Sequence, residues 1–121
     1  MLERIQPESN KPETYSSSVK AGGFLFLSHQ GGATSSDDVR VQLQACFDSM
    51  EKVLVKSGAG LENLVKVNML LKHKEDFPKC EDVFYQRLTS GFPARTTYVT
   101  DFVSPKLLVQ IDAVAFVGEE K

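Results

Sequence analysis

Apolar positions along the chain follow two periods. Val39, Leu43, Cys46, Phe47, Met50, Val53 and Leu54 recur at steps of three and four, which gathers them on one face of a helix. Ser35 or Ser36 stands where a cap is needed, and Asp37 and Asp38 then fall in the first turn, favourably placed against the helix dipole. Gly58 and Gly60 lie just past the stripe, where helix C-termini favour glycine. A second stripe of Phe77, Cys80, Val83, Phe84, Arg87 and Leu88 predicts another helix from about Glu75 to Thr89. Pro78 is tolerated in it because the first turn has no use for the missing amide.

Elsewhere the period is two. Tyr15 to Lys20 and Phe24 to Gln30 read as a hairpin around Ala21-Gly22-Gly23, and Gly31-Gly32 closes its second strand. Leu64 to Lys72 alternates, with Val65, Val67, Met69 and Leu71 on one side and Lys66, Asn68 and Lys72 on the other. The turn Ser90-Gly91-Phe92-Pro93 ends the second helix, and Arg95 to Thr100 is rich in β-branched residues, as strands are. From Leu107 to Val117 a last strand carries Val109, Ile111, Ala113 and Ala115 on one apolar face, while its other face begins with Gln110 and Asp112. Two amphipathic helices and alternating strands give an α+β class, with a mixed sheet covered by two helices on one face.

Composition narrows the function more than the fold. A chain of 121 residues, 41% hydrophobic and 25% charged, suits one compact domain over residues 1–121, with about the first dozen outside the ordered fold. A net charge of -2 supplies no broad positive field for a nucleic-acid backbone. The start of the chain, Met1 to Glu8, has no apolar run of a signal peptide. It also carries acids that mitochondrial transit peptides avoid, so a cytoplasmic address is the default. No stretch approaches the roughly 20 apolar residues of a membrane span. Cys46 and Cys80 sit within helical stripes, where a reduced thiol packs as a small apolar group. With His29 and His73 far apart and no ligand-like spacing, no metal site is expected.

Candidate chemistry centres on a few polar groups. Arg95 follows a Phe-Pro-Ala turn at a strand entrance, a rigid setting for presenting a guanidinium fork to a carboxylate. The plain alternative is a solvated strand-end arginine. Gln110 and Asp112 share a side of the last strand about 7 Å apart, so one can orient water while the other accepts a proton. They are equally a pair of satisfied polar groups at a sheet edge. Tyr15 offers a hydroxyl or an aromatic wall, and His29 an imidazole; each can equally be structural. The Gly31-Gly32 pair lacks the lysine and serine or threonine of a phosphate loop, and no G-x-S-x-G elbow supports a serine nucleophile.

Tyr15-Ser, Ser28-His29-Gln30, Leu64-Val-Lys-Val, Phe77, Phe92-Pro-Ala-Arg95-Thr-Thr and Gln110-Ile-Asp112-Ala-Val-Ala115, taken in this order, resemble the Rid (YjgF) family over nearly the whole chain. The Pro-Ala-Arg turn and the Ile-acid-Ala-Val-Ala strand are the specific part. The resemblance implies a chorismate mutase-like fold and a homotrimer with clefts between neighbouring subunits. It also implies hydrolysis of 2-imino and 2-enamino acids such as 2-aminoacrylate to 2-keto acids and ammonia. No cofactor is implied, since an imine carbon is already electrophilic. Arg95 takes the family arginine's place against the substrate carboxylate, with Tyr15 and His29 at cleft positions.

Three departures stand out. The family's Glu-x-Glu is Gln110-Ile111-Asp112, and an amide holds water but cannot take its proton. A cysteine common two residues after the arginine is Thr97, still a hydrogen-bond donor. An asparagine common in the second helix is Glu81, which repels a substrate carboxylate if it faces the cleft. The expected reaction has Arg95 on the carboxylate, Gln110 and Thr97 orienting water, and Asp112 or solvent receiving the proton. The alternatives are a member that binds small carboxylates or protein partners without turnover and, with little support from the residues, an RNA-cleaving one.

Overall fold

The structure, a computed structural model, describes residues 2–7 and 12–118. Six strands form one mixed sheet: β1 (Leu2–Ile5), β2 (Ser18–Ala21), β3 (Phe24–Gln30), β4 (Leu64–Leu71), β5 (Ala94–Val99) and β6 (Val109–Phe116). Their order across the sheet is β1-β2-β3-β6-β4-β5. Every pairing is antiparallel except that of β4 with β5. The helices α1 (Val39–Lys56) and α2 (Phe77–Arg87) cover one face, as the two stripes require. Beneath them lie Leu25 and Leu27 of β3, Val67, Met69 and Leu71 of β4, and Val109, Ile111, Ala113 and Ala115 of β6, all buried. From the helices, Leu43, Phe47 and Met50 meet them with no exposed surface. Truncating a buried phenylalanine such as Phe47 typically costs about 3–5 kcal/mol. Cys46 and Cys80 are both free thiols within this core. Desolvation pushes each up to about 12, far above the ordinary thiol range.

Four expectations need correction. Residues 2–5, expected outside the fold, pair with β2 from Leu2↔Ala21 to Ile5↔Ser18. Their mostly exposed side chains carry no core-facing signal; backbone pairing holds this edge, and Ser17 Oγ also donates to Ile5 O at 3.1 Å. The rest of that expectation, at positions 8–11, lies outside the described residues. Strand β2 starts at Ser18, and Tyr15 lies in the bend before it.

Helix α1 begins two to three residues later than the serines suggest. Asp38 is its cap, accepting from the Arg40 amide at 2.9 Å, while Ser36 accepts from the Asp38 amide one step earlier. The cap thus uses an acid that was expected inside the first turn. In β4 the alternation slips by one at its start, because the register with β6 jumps between Leu64↔Ala115 and Lys66↔Val114. The extra residue, Val65, is exposed and Leu64 takes the buried place, as at a β-bulge.

The opposite face of the sheet has no helix on it among the described residues. Phe24 lies opposite Phe116, and Phe26 opposite Val114. The three phenylalanines are 43–47% exposed. No described helix is long and apolar enough to cross a membrane.

Candidate functional site

Strand parity divides the candidate residues between the two faces. In β5, Arg95 and Thr97 are in register with the buried Val67 and Met69. Successive residues alternate, so both point to the helix-covered side. In β6, Gln110 and Asp112 are in register with Leu70 and Asn68 and point the other way. One chain therefore does not bring Arg95 to Gln110.

On the helix side, Arg95 meets α2. Its guanidinium carbon lies 4.9 Å from the Phe84 ring centre and 5.3 Å from that of Phe77, both within cation–π range. Its Nη2 donates to Glu81 Oε1 at 2.8 Å, with the two side chains 24% and 31% exposed. Beside this pair opens a cavity of about 280 Å³ lined by Glu81, Phe84, Tyr85, Phe92, Pro93 and Arg95. Tyr85 and Phe92 meet edge to face across 5.5 Å. Phe92 and Pro93 reach it because the turn that ends α2 leads directly into β5, which is what the Phe-Pro-Ala-Arg run accomplishes.

A second cleft lies at the far end of β3. Tyr15, His29, Gln30, Gly31 and Gln110 border an open hollow of about 380 Å³, with Thr34, Ser104 and Leu107 on its rim. The Tyr15 and His29 rings stack at 5.9 Å. Hydrogen bonds from Ser28 carry the bend of Tyr15 alongside β3: its amide donates to Ser17 O at 3.0 Å and its Oγ donates to Ser16 O. Gly31 keeps the floor low. A Cβ there would come within 3.3 Å of Leu107 and 3.7 Å of the Gln110 side chain.

Asp112 is engaged across the sheet, accepting from Asn68 Nδ2 at 2.9 Å. The structure thus gathers Tyr15, His29 and Gln110 in one place and Arg95 and Glu81 in another, with Thr97 on Arg95's side of the sheet.

Sequence reasoning passed over the aromatic setting of Arg95. Phe84 reads as core stripe, and Phe77 as core stripe and part of the family resemblance, whereas their i,i+7 spacing on one helix face is the signal that both rings can meet one guanidinium.

The model of the family described as endoribonuclease L-PSP matches residues 7–117. The chain belongs to this family, the YjgF or Rid family. Among relatives, a 2-iminobutanoate/2-iminopropanoate deaminase of Dermatophagoides farinae is 30% identical over 109 residues, 85% of each protein. A RutC family protein of Pyrococcus horikoshii is 28% identical over 108 residues, 84% of this chain and 86% of the relative. A YjgF-family structure from Streptococcus pyogenes superposes with a TM-score of 0.86 at 26% identity, covering 98% of both chains. The order of elements and the α+β fold are thus those of the Rid family, and some of the relatives bear the names of imine deaminases.

Proposed function

We propose that this Rid-family chain hydrolyses reactive 2-imino and 2-enamino acids to 2-keto acids and ammonia, in clefts formed between subunits of a homotrimer. The observation that carries the reading is the setting of Arg95. A rigid turn and two phenylalanine rings hold its guanidinium at the edge of an aromatic cavity, as recognition of a small planar carboxylate demands. The assembly reading rests on the uncovered sheet face. Phe24, Phe26, Val114 and Phe116 form an apolar area there of the kind subunit contacts bury.

In this reading the two clefts of one chain are halves of different sites. Arg95 and Thr97 of one subunit face Tyr15, His29 and Gln110 of the next. The guanidinium binds the carboxylate and holds C2 of the protonated imine in place. Water attacks C2, and the resulting carbinolamine expels ammonia to leave the keto acid. Gln110 orients the water through its amide oxygen, and the proton passes to Asp112 or to solvent. Because an amide is no base, the rate gain is smaller than a carboxylate at this position would supply. That feature favours the non-catalytic alternative, a binder of small carboxylates, if turnover proves negligible.

The deciding experiment generates 2-aminoacrylate in situ and follows release of ammonia and pyruvate. Wild type should accelerate it, Arg95→Ala should abolish the acceleration, and Gln110→Glu should raise it. Full activity in Arg95→Ala removes the assignment. A folded wild type without activity, but with Arg95-dependent carboxylate binding, leaves the binding role.

A further inference from the structure

The candidate carboxylate receptor already holds a carboxylate, since Glu81 Oε1 accepts from Arg95 Nη2 at 2.8 Å. A guanidinium has five N–H donors, and this contact is through a single nitrogen, so a ligand carboxylate can still be taken by the others. Two carboxylates then share one cation at about 4–6 Å, a separation at which like charges disfavour each other's ionised form. A simple anion binds there against that repulsion. A ligand bearing a positive charge next to its carboxylate turns Glu81 from a liability into a partner.

The cavity beside the pair agrees with a cationic ligand on independent grounds. Beside Phe84, whose ring already carries the Arg95 guanidinium, its wall presents the rings of Tyr85 and Phe92, and aromatic faces next to a carboxylate attract a positively charged nitrogen.

We infer that Glu81 determines specificity in this site by selecting ligands with a cationic nitrogen beside the carboxylate over simple carboxylate anions. This rests on the arginine-centred deaminase reading and sharpens its substrate class. The substrate is the zwitterionic protonated imine, and the product is repelled. The reaction R–C(=NH2+)–COO− + H2O → R–C(=O)–COO− + NH4+ erases the positive charge at C2 and leaves a bare anion facing Glu81. The same residue that welcomes the substrate therefore hastens departure of the keto acid.

The test uses two stable probes of nearly equal shape. In 1-methylpyridinium-2-carboxylate a planar C=N+ stands beside the carboxylate; benzoate has the same ring and carboxylate without the N-methyl group or the charge, and the methyl contribution cancels when the affinity ratio is compared between wild type and a Glu81 variant. Their affinities are measured by isothermal titration on wild type, Glu81→Gln, Glu81→Asn and Arg95→Ala, each checked for folding by thermal melt. Wild type should bind the zwitterion at least about tenfold more tightly, a difference of about 1.4 kcal/mol. Both Glu81 variants should shrink or reverse that ratio, chiefly by binding benzoate better, and 2-oxobutanoate should inhibit them more strongly.

A ratio that stays the same when either folded Glu81 variant replaces wild type overturns the inference, as does a wild-type preference for benzoate. In those cases, loss of both probes in Arg95→Ala keeps the arginine-centred reading standing. If neither probe binds wild type, or if Arg95→Ala binds both undiminished, that reading falls and the inference with it.

Discussion

Gln42 is the sharpest test of how the cleft around Tyr15, His29 and Gln110 is held. It lies in the first turn of α1 with no exposed surface. Its Nε2 donates to Ser36 O at 2.8 Å and to Lys106 O at 3.0 Å, while its Oε1 accepts from the Leu108 amide at 2.8 Å. One side chain thus ties the entry of α1 to the segment that leads into β6 and carries Ser104 and Leu107 to the rim of the hollow. Gln42→Leu keeps the volume but leaves two carbonyls and an amide short of a partner. At about 1 kcal/mol for each bond, the loss is about 3 kcal/mol. For 121 residues unfolding with about 2.1 cal/mol/K per residue, that lowers Tm by roughly 12 °C. Gln42→Glu separates the roles: it still accepts from Leu108 but turns both donated bonds into repulsion between oxygens, so it should be no more stable than the leucine variant at neutral pH. Chemical and thermal denaturation at one fixed protein concentration measure both, since assembly would make Tm depend on concentration. A leucine variant within 0.5 kcal/mol of wild type would refute the reasoning.

The thiols give a pH dependence of known sign. Both folded-state values are raised to about 12 from 9.0, so above pH 9 the unfolded chain holds fewer protons than the folded one. Stability should then fall by up to about 1.4 kcal/mol per pH unit for each thiol, with no such slope below pH 9. Urea melts of wild type and of the Cys46→Ala, Cys80→Ala double variant from pH 8 to 11 check this, and parallel profiles would contradict it. Arg87 bridges the helices through Asp48 at 2.9 Å, Glu51 and Gln44 Oε1 at 2.7 Å and stacks on Phe47. Because its acidic partners are largely solvated, Arg87→Ala should cost about 1–2 kcal/mol, read from the shift in urea midpoint. Phe26→Asp places a charge at the centre of the uncovered sheet face and should convert a trimer to monomer in sedimentation at micromolar concentration; an unchanged mass would move the interface elsewhere. Gly22→Ala, at φ +60° with open space around its Cβ position, should cost about 1 kcal/mol of turn strain and no activity.

Much of the fold could be read from periodicity because burial imposes it. The stripe from Val39 to Leu54 and the alternation from Val109 to Ala115 are buried almost residue for residue. What escaped is what hydrophobicity does not encode. Strand β1 is held by hydrogen bonds to its backbone rather than by a buried apolar face. The bulge at Val65 follows from a register that only the partner strand fixes, and the buried amide of Gln42 satisfies groups 64 and 66 residues away.

The site followed the same rule. Each candidate residue was visible as a type, but whether two of them meet depends on strand parity, and parity is a property of pairing. Arg95 pairs with Val67 and Asp112 with Asn68, adjacent positions on β4 that face opposite ways. No change of side-chain rotamer carries Gln110 through the sheet to Arg95. Any chemistry that uses both must therefore recruit one of them from another copy of the chain. Mixing Arg95→Ala with Gln110→Ala subunits should then restore a fraction of active clefts that neither variant has alone, whereas a site contained within one chain would gain nothing from mixing.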